Sequence, residues 1–285
     1  MTQKKDSIEF RLSMGKTEYL LGEPVIAYLE LSNSGSQPIP VIDQLDPKLG
    51  IVKFYIKSGI EETFFRPYVV ADSMPRKYIL KPGESVSGAA KIFYGSKGWS
   101  FKSSGKYQIR ATYNGLVDHP DEELASNVFE VNIRAPRNEQ EKEQVSLIMG
   151  DEQALFLLFE AGDHLSNGIR NLMQLTSKYP QSDLAGYANF ALGMNYSKDF
   201  KDFQRGLVRK ADAERSLMHL KSVKDRNVDG YFARQAYLTL ANIYEDSNAE
   251  DAKKETLNEF IERFSRDSKH ADSINRAKSM LGKSD

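Results

Sequence analysis

Few side chains in this sequence combine the residue types and spacing that chemistry requires. The four histidines lie far apart, and none has the partner at helical spacing that a metal-binding motif such as His-Glu-x-x-His needs. His119 alone lies in a cluster of ligand-type atoms, the acidic segment 118–123. That segment could hold calcium or zinc. It lacks the glycine-containing ligand loop of known calcium sites, however, which favours a solvated loop between strands.

Other motifs that carry chemistry are absent from the sequence. The chain has no cysteine, which excludes disulfides, thiolate metal sites and a cysteine nucleophile. Gly-x-Ser-x-Gly, the Walker phosphate loop and the dinucleotide-binding Gly-x-Gly-x-x-Gly do not occur either. The sequence therefore predicts no catalytic residue, no metal and no cofactor. Because catalytic groups can be assembled from distant residues, a hydrolase with a site between domains stays open as the least favoured function.

Length and charge narrow the classes of partner. The chain of 285 residues exceeds one typical domain, so two domains are expected. Its 39 Lys and Arg residues nearly balance 40 Asp and Glu residues, which gives no bulk charge for nucleic acid or an anionic membrane. The longest apolar run, at 154–159, has six residues, far below the roughly 20 that cross a bilayer. We therefore expect no nucleic-acid partner and no integral membrane segment.

Residues 8–134 have the alternating pattern of β-strands. Ile8, Phe10, Leu12 and Met14 alternate with polar residues, as in a sheet packed on one face. Turn signals follow at 33–38 and at 81–84. Further strands are predicted at 50–57, 63–70, 86–94, 106–113 and 127–134. Seven or eight short strands separated by turns indicate an antiparallel β-sandwich over residues 1–135.

The segment 105–113 makes the β-sandwich prediction more specific. It resembles the penultimate strand of an immunoglobulin-like domain, in which a tyrosine near the strand start hydrogen-bonds back to the preceding corner, and Tyr107 matches that position. The disulfide and core tryptophan of antibody domains are missing, so the resemblance implies architecture alone. Trp99 either closes one end of the sandwich, which we favour, or is an exposed binding aromatic.

From residue 146 to 285 the apolar period is helical. The charged segment 136–145 before it is either a flexible tether or the first turns of a helix, and we favour a short linker that runs into helix. Residues 237–264 resemble the tetratricopeptide repeat, a pair of antiparallel helices that stacks on copies of itself. The positions that carry this resemblance are Tyr237, Leu240, Ala241, Tyr244, Leu257, Phe260 and Phe264. Two further degenerate copies fit 152–180 and 189–225, the latter with eight extra residues between its helices. A helix at about 270–281 would cap the stack.

The resemblance also implies a groove that is lined by the first helix of each pair. Transferring the groove positions to this sequence gives a mostly apolar set, which would accept an apolar or aromatic segment of a partner. The alternative is that these residues pack against one another or against the β-domain. The candidate groove residues are Gln153, Leu157, Tyr187, Phe190, Met194, Gln235, Leu238 and Asn242.

The extra residues of the second copy form a second candidate site. Phe200 and Phe203 lie between charged residues in the segment 197–206, which the repeat does not require. They either present a small apolar anchor to a partner or pack as the staple of a longer helix. The sequence does not decide between the two.

Stacked helix pairs bind other polypeptides more often than they perform chemistry. We therefore expect a non-catalytic adaptor that binds another protein or peptide through the helical groove, the β-sandwich or both. The alternative is a glycan- or peptidase-binding module of a secreted protein, with contacts at Trp99, Tyr68 or Tyr94. β-Sandwich modules are frequent outside the bacterial cytoplasm. For that reason we favour a periplasmic or extracellular protein with its leader removed over a cytoplasmic one.

Overall fold

The computed structural model describes residues 8–71, 76–224, 226–265 and 271–282. The chain divides into two compact units, Met1–Pro136 and Arg137–Asp285. Strands build the first unit and mainly helices build the second, which confirms the predicted order of β structure followed by α structure. Residues 1–7 and His270 lie outside the described part of the chain.

The described strands of the first unit are β1 (Ile8–Met14), β2 (Glu18–Leu20), β3 (Ile26–Asn33), β4 (Ile39–Ile42), β5 (Val52–Ser58), β6 (Glu61–Phe65), β7 (Lys77–Leu80), β8 (Ser85–Lys91), β9 (Tyr94–Gly95), β10 (Gly98–Trp99), β11 (Gly105–Tyr113), β12 (Leu124–Ala125) and β13 (Phe129–Arg134). They form two larger and two smaller sheets. One larger sheet has the order β1-β3-β8, and the other has the order β2-β13-β11-β5-β6 with β12 beside β11. The pairs β4–β7 and β9–β10 form the smaller sheets. All pairings are antiparallel except that of β2 with β13.

The two larger sheets share one core, as the alternation predicts. In β1 the side chains of Ile8, Phe10, Leu12 and Met14 are buried. Phe10 contacts Tyr113 of β11 with ring centroids 5.6 Å apart, so the core joins both sheets. The tyrosine hydrogen bond that the sequence predicts is also present, because Tyr107 Oη donates to the Ser103 carbonyl at 2.9 Å.

Eight α-helices build the described part of the second unit, together with one β-hairpin. The helices are α1 (Glu139–Ile148), α2 (Asp151–Phe159), α3 (Ser166–Lys178), α4 (Asp183–Tyr196), α5 (Ala213–Lys224), α6 (Gly230–Asp246), α7 (Glu250–Phe264) and α8 (Ala271–Met280). The hairpin is formed by β14 (Phe200–Asp202) and β15 (Leu207–Arg209). From α2 onward to α8, each helix packs against the next one in the chain.

The first helix of this unit differs from the predicted linker at 136–145. Asn138 caps α1, because its Oδ1 accepts the Glu141 N–H at 2.8 Å. Glu139 and Glu141 stabilise the first turn, because their negative charges lie near the positive end of the helix dipole. Val145 and Ile148 are buried on the inner face of α1. Most of the segment predicted as a linker therefore forms the first turns of a packed helix, which is the alternative that the sequence left open.

Helix α4 is the central helix of the second unit. It contacts α1, α2, α3, α5 and α6, and nearly every residue along it is buried. Its sequence is apolar or small on all sides, which is typical of a helix without a solvent face. Tyr187 and Phe190 both pack edge-to-face against Phe232 of α6, with ring centroids 5.1 and 5.0 Å away. Because α4 is enclosed, most of the candidate groove residues on it have little side-chain surface for a partner.

Candidate functional site

The candidate groove residues do not form an open surface. Five of them are buried in the helical unit and have no side-chain area to offer a partner: Gln153, Leu157, Tyr187, Phe190 and Leu238. Their positions agree with the alternative that they pack against one another. The apolar centre predicted for the groove is therefore helix core, because α4 is covered on both sides by α3, α5 and α6.

The other three groove candidates are more accessible but scattered. Met194 and Gln235 are half-buried, and Asn242 is exposed. The Met194 sulfur accepts a hydrogen bond from Thr239 Oγ1 at 3.3 Å, which ties it to α6. These residues do not make a continuous apolar face, and their part in partner binding stays a prediction.

The second candidate site, at 197–206, is a projecting β-hairpin. Helix α4 ends at Tyr196 and α5 begins at Ala213, so Phe200 and Phe203 belong to no helix and do not act as a helix staple. Phe200 is half-buried beside His164, with ring centroids 6.2 Å apart. Phe203 is 82% exposed at the hairpin tip. The two phenylalanines therefore have separate places, one at the base and one at the tip.

A polar network holds the base of this hairpin on the helical unit. Arg209 of β15 pairs through Nε with Asp163 Oδ2 at 2.7 Å and donates through Nη2 to the Asn195 carbonyl at 2.8 Å. The buried Asn195 donates its Nδ2 to Asp163 Oδ1 at 2.8 Å. Hydrogen bonds of this kind, with one or both partners charged, are about twice as strong as neutral ones. The base is thus well fixed, although Asp163 and Arg209 are too far apart in sequence for spacing to reveal the pair.

The outer part of the hairpin combines apolar and basic side chains. Leu207 and Val208 are exposed next to the tip. Residues 198–210 contain five basic and two acidic residues, a formal charge of +3 in a chain of net charge −1. Hydrogen bonds from Lys210 and Arg205 lower the pKa values of Asp199 and Asp202, respectively. Both carboxylates are therefore ionised and paired within the hairpin region, and the excess charge is positive.

In the first unit, the aromatic residues proposed for a glycan form one cluster. Tyr94 contacts Trp99 edge-on with centroids 5.9 Å apart, and Tyr68 lies 6.1 Å from Tyr94. Trp99 is only 7% exposed, which agrees with its predicted role in closing the core. Tyr68 is the accessible member of the cluster. A cavity of about 320 Å³ adjoins Trp99 on the side of β5 and β6.

No metal centre is evident in the described ranges. They contain no group of three or more His, Asp or Glu residues that could hold an ion. His119 Nδ1 lies 3.5 Å from Glu122 Oε1 at the surface and meets no further ligand there. Within the same ranges, no helix combines the length and the apolar character that crossing a bilayer requires.

Comparisons with known proteins find no matching family model and no matching curated protein. Among solved structures, a β-glucosidase from Listeria innocua in complex with isofagomine aligns at 15% identity and TM-score 0.26, covering 45% of this chain and 16% of its own. The CARDB domain of the PF1109 protein from Pyrococcus furiosus, solved with di-metal ions, aligns at 14% identity and TM-score 0.26. This alignment covers 45% of the present chain and 87% of the CARDB chain. A Pseudomonas fluorescens alkylpurine DNA glycosylase bound to DNA with an abasic site analogue aligns at 14% identity and TM-score 0.28. This alignment covers 45% of the present chain and 31% of the glycosylase chain. The chain spans less than a fifth of the length of the β-glucosidase, and likeness at these scores carries no functional argument.

Proposed function

We propose that this protein is a non-catalytic adaptor that binds another protein through the β14–β15 hairpin. In this proposal the first unit is an immunoglobulin-like sandwich, and the second is a stack of degenerate tetratricopeptide-like helix pairs that carries the hairpin. One observation carries the proposal. Phe203 is 82% exposed on a hairpin with its base fixed by Arg209.

Several contacts support the two fold resemblances within this proposal. The Tyr107 hydrogen bond has the partner expected at the corner of an immunoglobulin-like domain. In the second unit, the helices of each assigned pair contact one another: α2 with α3, α4 with α5, and α6 with α7. The tetratricopeptide pattern has a small residue near the start of the second helix of each pair, and Gly168 takes that position in the first pair. A Cβ there would lie 2.8 Å from the Glu152 backbone carbon. Close helix approach explains why the pattern needs a small residue at that position.

The hairpin tip has the energetics of an interaction anchor. Fully burying a phenylalanine side chain contributes about 1.5–3 kcal/mol, and interface energy concentrates in a few such aromatic residues. Because the base is already fixed, a partner that covers the tip orders fewer groups on binding, which lowers the entropic cost. A single exposed Phe203 can therefore contribute a large share of a docking free energy.

Charge specifies the kind of surface that the hairpin fits. The partner surface we propose is an apolar recess that accepts Phe203 and Val208 and has carboxylates at its edge. Those carboxylates would face the formal charge of +3 on residues 198–210. Complementary charge raises the association rate more than the affinity, and the effect falls as salt is added. Binding through the hairpin should therefore weaken with ionic strength.

Site-specific photo-crosslinking in the source cells tests this proposal. A photoreactive residue replaces Phe203 in one full-length variant and Met218 in another. Met218 is the matched control because it is exposed (58%) on α5, outside the hairpin. We expect one protein to be captured from position 203 and not from 218. That protein is then purified, and its affinity is measured for the unmodified chain, Phe203→Ser and Met218→Ser.

The expected result is a loss of about tenfold or more for Phe203→Ser, which corresponds to about 1.4 kcal/mol, and little change for Met218→Ser. Equal capture from both positions contradicts the proposal, as does unchanged affinity in Phe203→Ser. Crosslinking of position 203 to a second copy of this chain would identify self-association instead. That outcome also overturns the adaptor proposal.

A further inference from the structure

The cavity beside Trp99 has the size of a binding site for one small group. Its volume is about 320 Å³, at the lower end of the roughly 300–1,000 Å³ typical of ligand pockets. It lies between β5 and β6 on one side and the segment 95–103 on the other, entirely within the first unit. A cavity of this size accepts one large side chain or one sugar ring.

The floor of the cavity is apolar because it continues the core of the sheet. The strand register places Ile56 beside Ile109 and Phe54 beside Phe65, so these four buried side chains lie on one face of the sheet. The lining residues Ile56, Phe65 and Tyr107 are all buried. Trp99 completes the wall, and its indole N–H has no hydrogen-bond acceptor among the described residues. An apolar group that enters here is covered by side chains with no charge.

The rim of the cavity is cationic. Arg66, Lys97 and Lys102 line it with exposed side chains, and none forms an ion pair with any residue that the structure describes. Glu61 is the one carboxylate in the described lining, so the cavity has a formal charge of +2. Low-dielectric walls concentrate the field of such a cluster at the opening. The opening therefore favours a ligand with an apolar group beside an anionic one.

One edge of the sheet takes part in the same cavity. Within the described ranges, β6 pairs with β5 alone, which leaves its outer edge without a strand partner. The lining includes consecutive residues, from Thr63 to Arg66. Successive residues of a strand point to opposite faces, so a cavity in contact with all four of these residues reaches the strand edge. Unpaired N–H and C=O groups at an edge are a template for an added strand.

We propose that the edge of β6 and this cavity bind an extended acidic peptide segment. The segment adds to β6 as a further strand through main-chain hydrogen bonds, which is an established mode of peptide recognition. One of its apolar side chains enters the cavity, and a carboxylate next to that side chain meets Arg66, Lys97 and Lys102. The free edge favours a peptide over a sugar acid, because a sugar cannot extend the ladder. This site is independent of the β14–β15 hairpin, so either proposal can fail without the other.

Trp99 can report ligand binding through its fluorescence, since it is the only tryptophan of the chain and lies in the cavity wall. The probe is an acetylated pentapeptide that ends in phenylalanine with a free carboxylate and contains no tryptophan. It is titrated into the full-length protein while Trp99 fluorescence is recorded. We expect a saturable change that weakens with added salt, because exposed charges are screened.

Matched probes and variants separate the parts of the proposed site. The same peptide with a C-terminal amide and the double variant Lys97→Gln/Lys102→Gln should each bind about tenfold more weakly, as for loss of charged hydrogen bonds. Lys77→Gln, an exposed lysine of β7 outside the cavity, should bind like the unmodified protein. A peptide N-methylated at alternate amides should also bind more weakly, because it loses donors to the β6 edge.

Each remaining outcome overturns the proposal. No fluorescence change at millimolar peptide shows that the cavity takes no such ligand. Equal affinity for acid and amide peptides, or for Lys97→Gln/Lys102→Gln and the unmodified protein, shows that the cations are not used. Saturable binding of glucuronate without binding of the peptide assigns the cavity to sugar acids instead. Unchanged affinity for the N-methylated peptide removes the strand-addition mode.

Discussion

His219 provides a pH test of the packing in the helical unit. Its side chain is 8% exposed, and its Nδ1 lies 2.8 Å from Asn189 Oδ1. Tyr196 stacks on the ring with centroids 5.8 Å apart. Burial, with a smaller contribution from the positive charge of Arg215, lowers the pKa of His219 to about 4. The folded protein therefore keeps this histidine neutral where an exposed one would be protonated.

The sign and size of the effect on stability follow from linkage. Between about pH 6.5 and about pH 4 the unfolded chain binds a proton at His219 that the folded chain does not. Stability from this residue is therefore complete above the unfolded pKa and decreases as the pH falls. With pKa values of about 6.5 unfolded and about 4 folded, lowering the pH from about 7 to about 5 costs about 2 kcal/mol.

The perturbation is His219→Gln, which retains an amide group for Asn189 and removes the titration. Urea unfolding of the full-length protein is followed through the far-ultraviolet helix signal at about pH 7 and about pH 5. The unmodified protein should lose about 2 kcal/mol more than the variant over this interval. The exposed His119 and His164 are present in both proteins, so their contributions cancel.

Two results would contradict a buried, neutral His219. Equal pH dependence in the two proteins would mean that His219 does not resist protonation. A titration of the His219 ring by nuclear magnetic resonance with a midpoint near that of a free histidine, about 6.5, would mean that the ring is solvated. In either case the packing of α4 against α5 would be looser than the structure shows.

Two further predictions address the packing around the candidate sites. Gly95→Ala should destabilise the first unit by about 1–3 kcal/mol, because a methyl group there overlaps the Arg66 carbonyl oxygen. Unfolding followed by Trp99 fluorescence measures this loss of stability. An unchanged unfolding midpoint would contradict the close approach of Gly95 to Arg66. Phe190→Ala should cost about 3–5 kcal/mol, as for other large core truncations, measured by urea unfolding of the helical unit. A stable Phe190→Ala protein with impaired partner binding would instead restore the apolar groove.

Much of the local structure could be predicted from the sequence. The alternation in residues 8–14 places Phe10 and Leu12 inside and Arg11 outside, because the side chains of a strand point alternately to its two faces. The helical period after residue 145 likewise identifies a second, helical unit. Short elements such as β4, β7 and β10 are not predicted from the sequence, because two to four residues give too little periodicity to recognise.

The candidate sites depended on information that local patterns do not contain. Local sequence identifies which faces of strands and helices are apolar, since periodicity is a property of neighbouring residues. Whether an apolar face becomes core or surface depends on what covers it. Phe190 is buried because α6 places Phe232 on it, 42 residues away in the chain. Phe203 stays exposed because Arg209 and Asp163 hold its hairpin on the helices. Long-range contacts determine the burial of such residues, because they bring together side chains that have no regular spacing in the sequence.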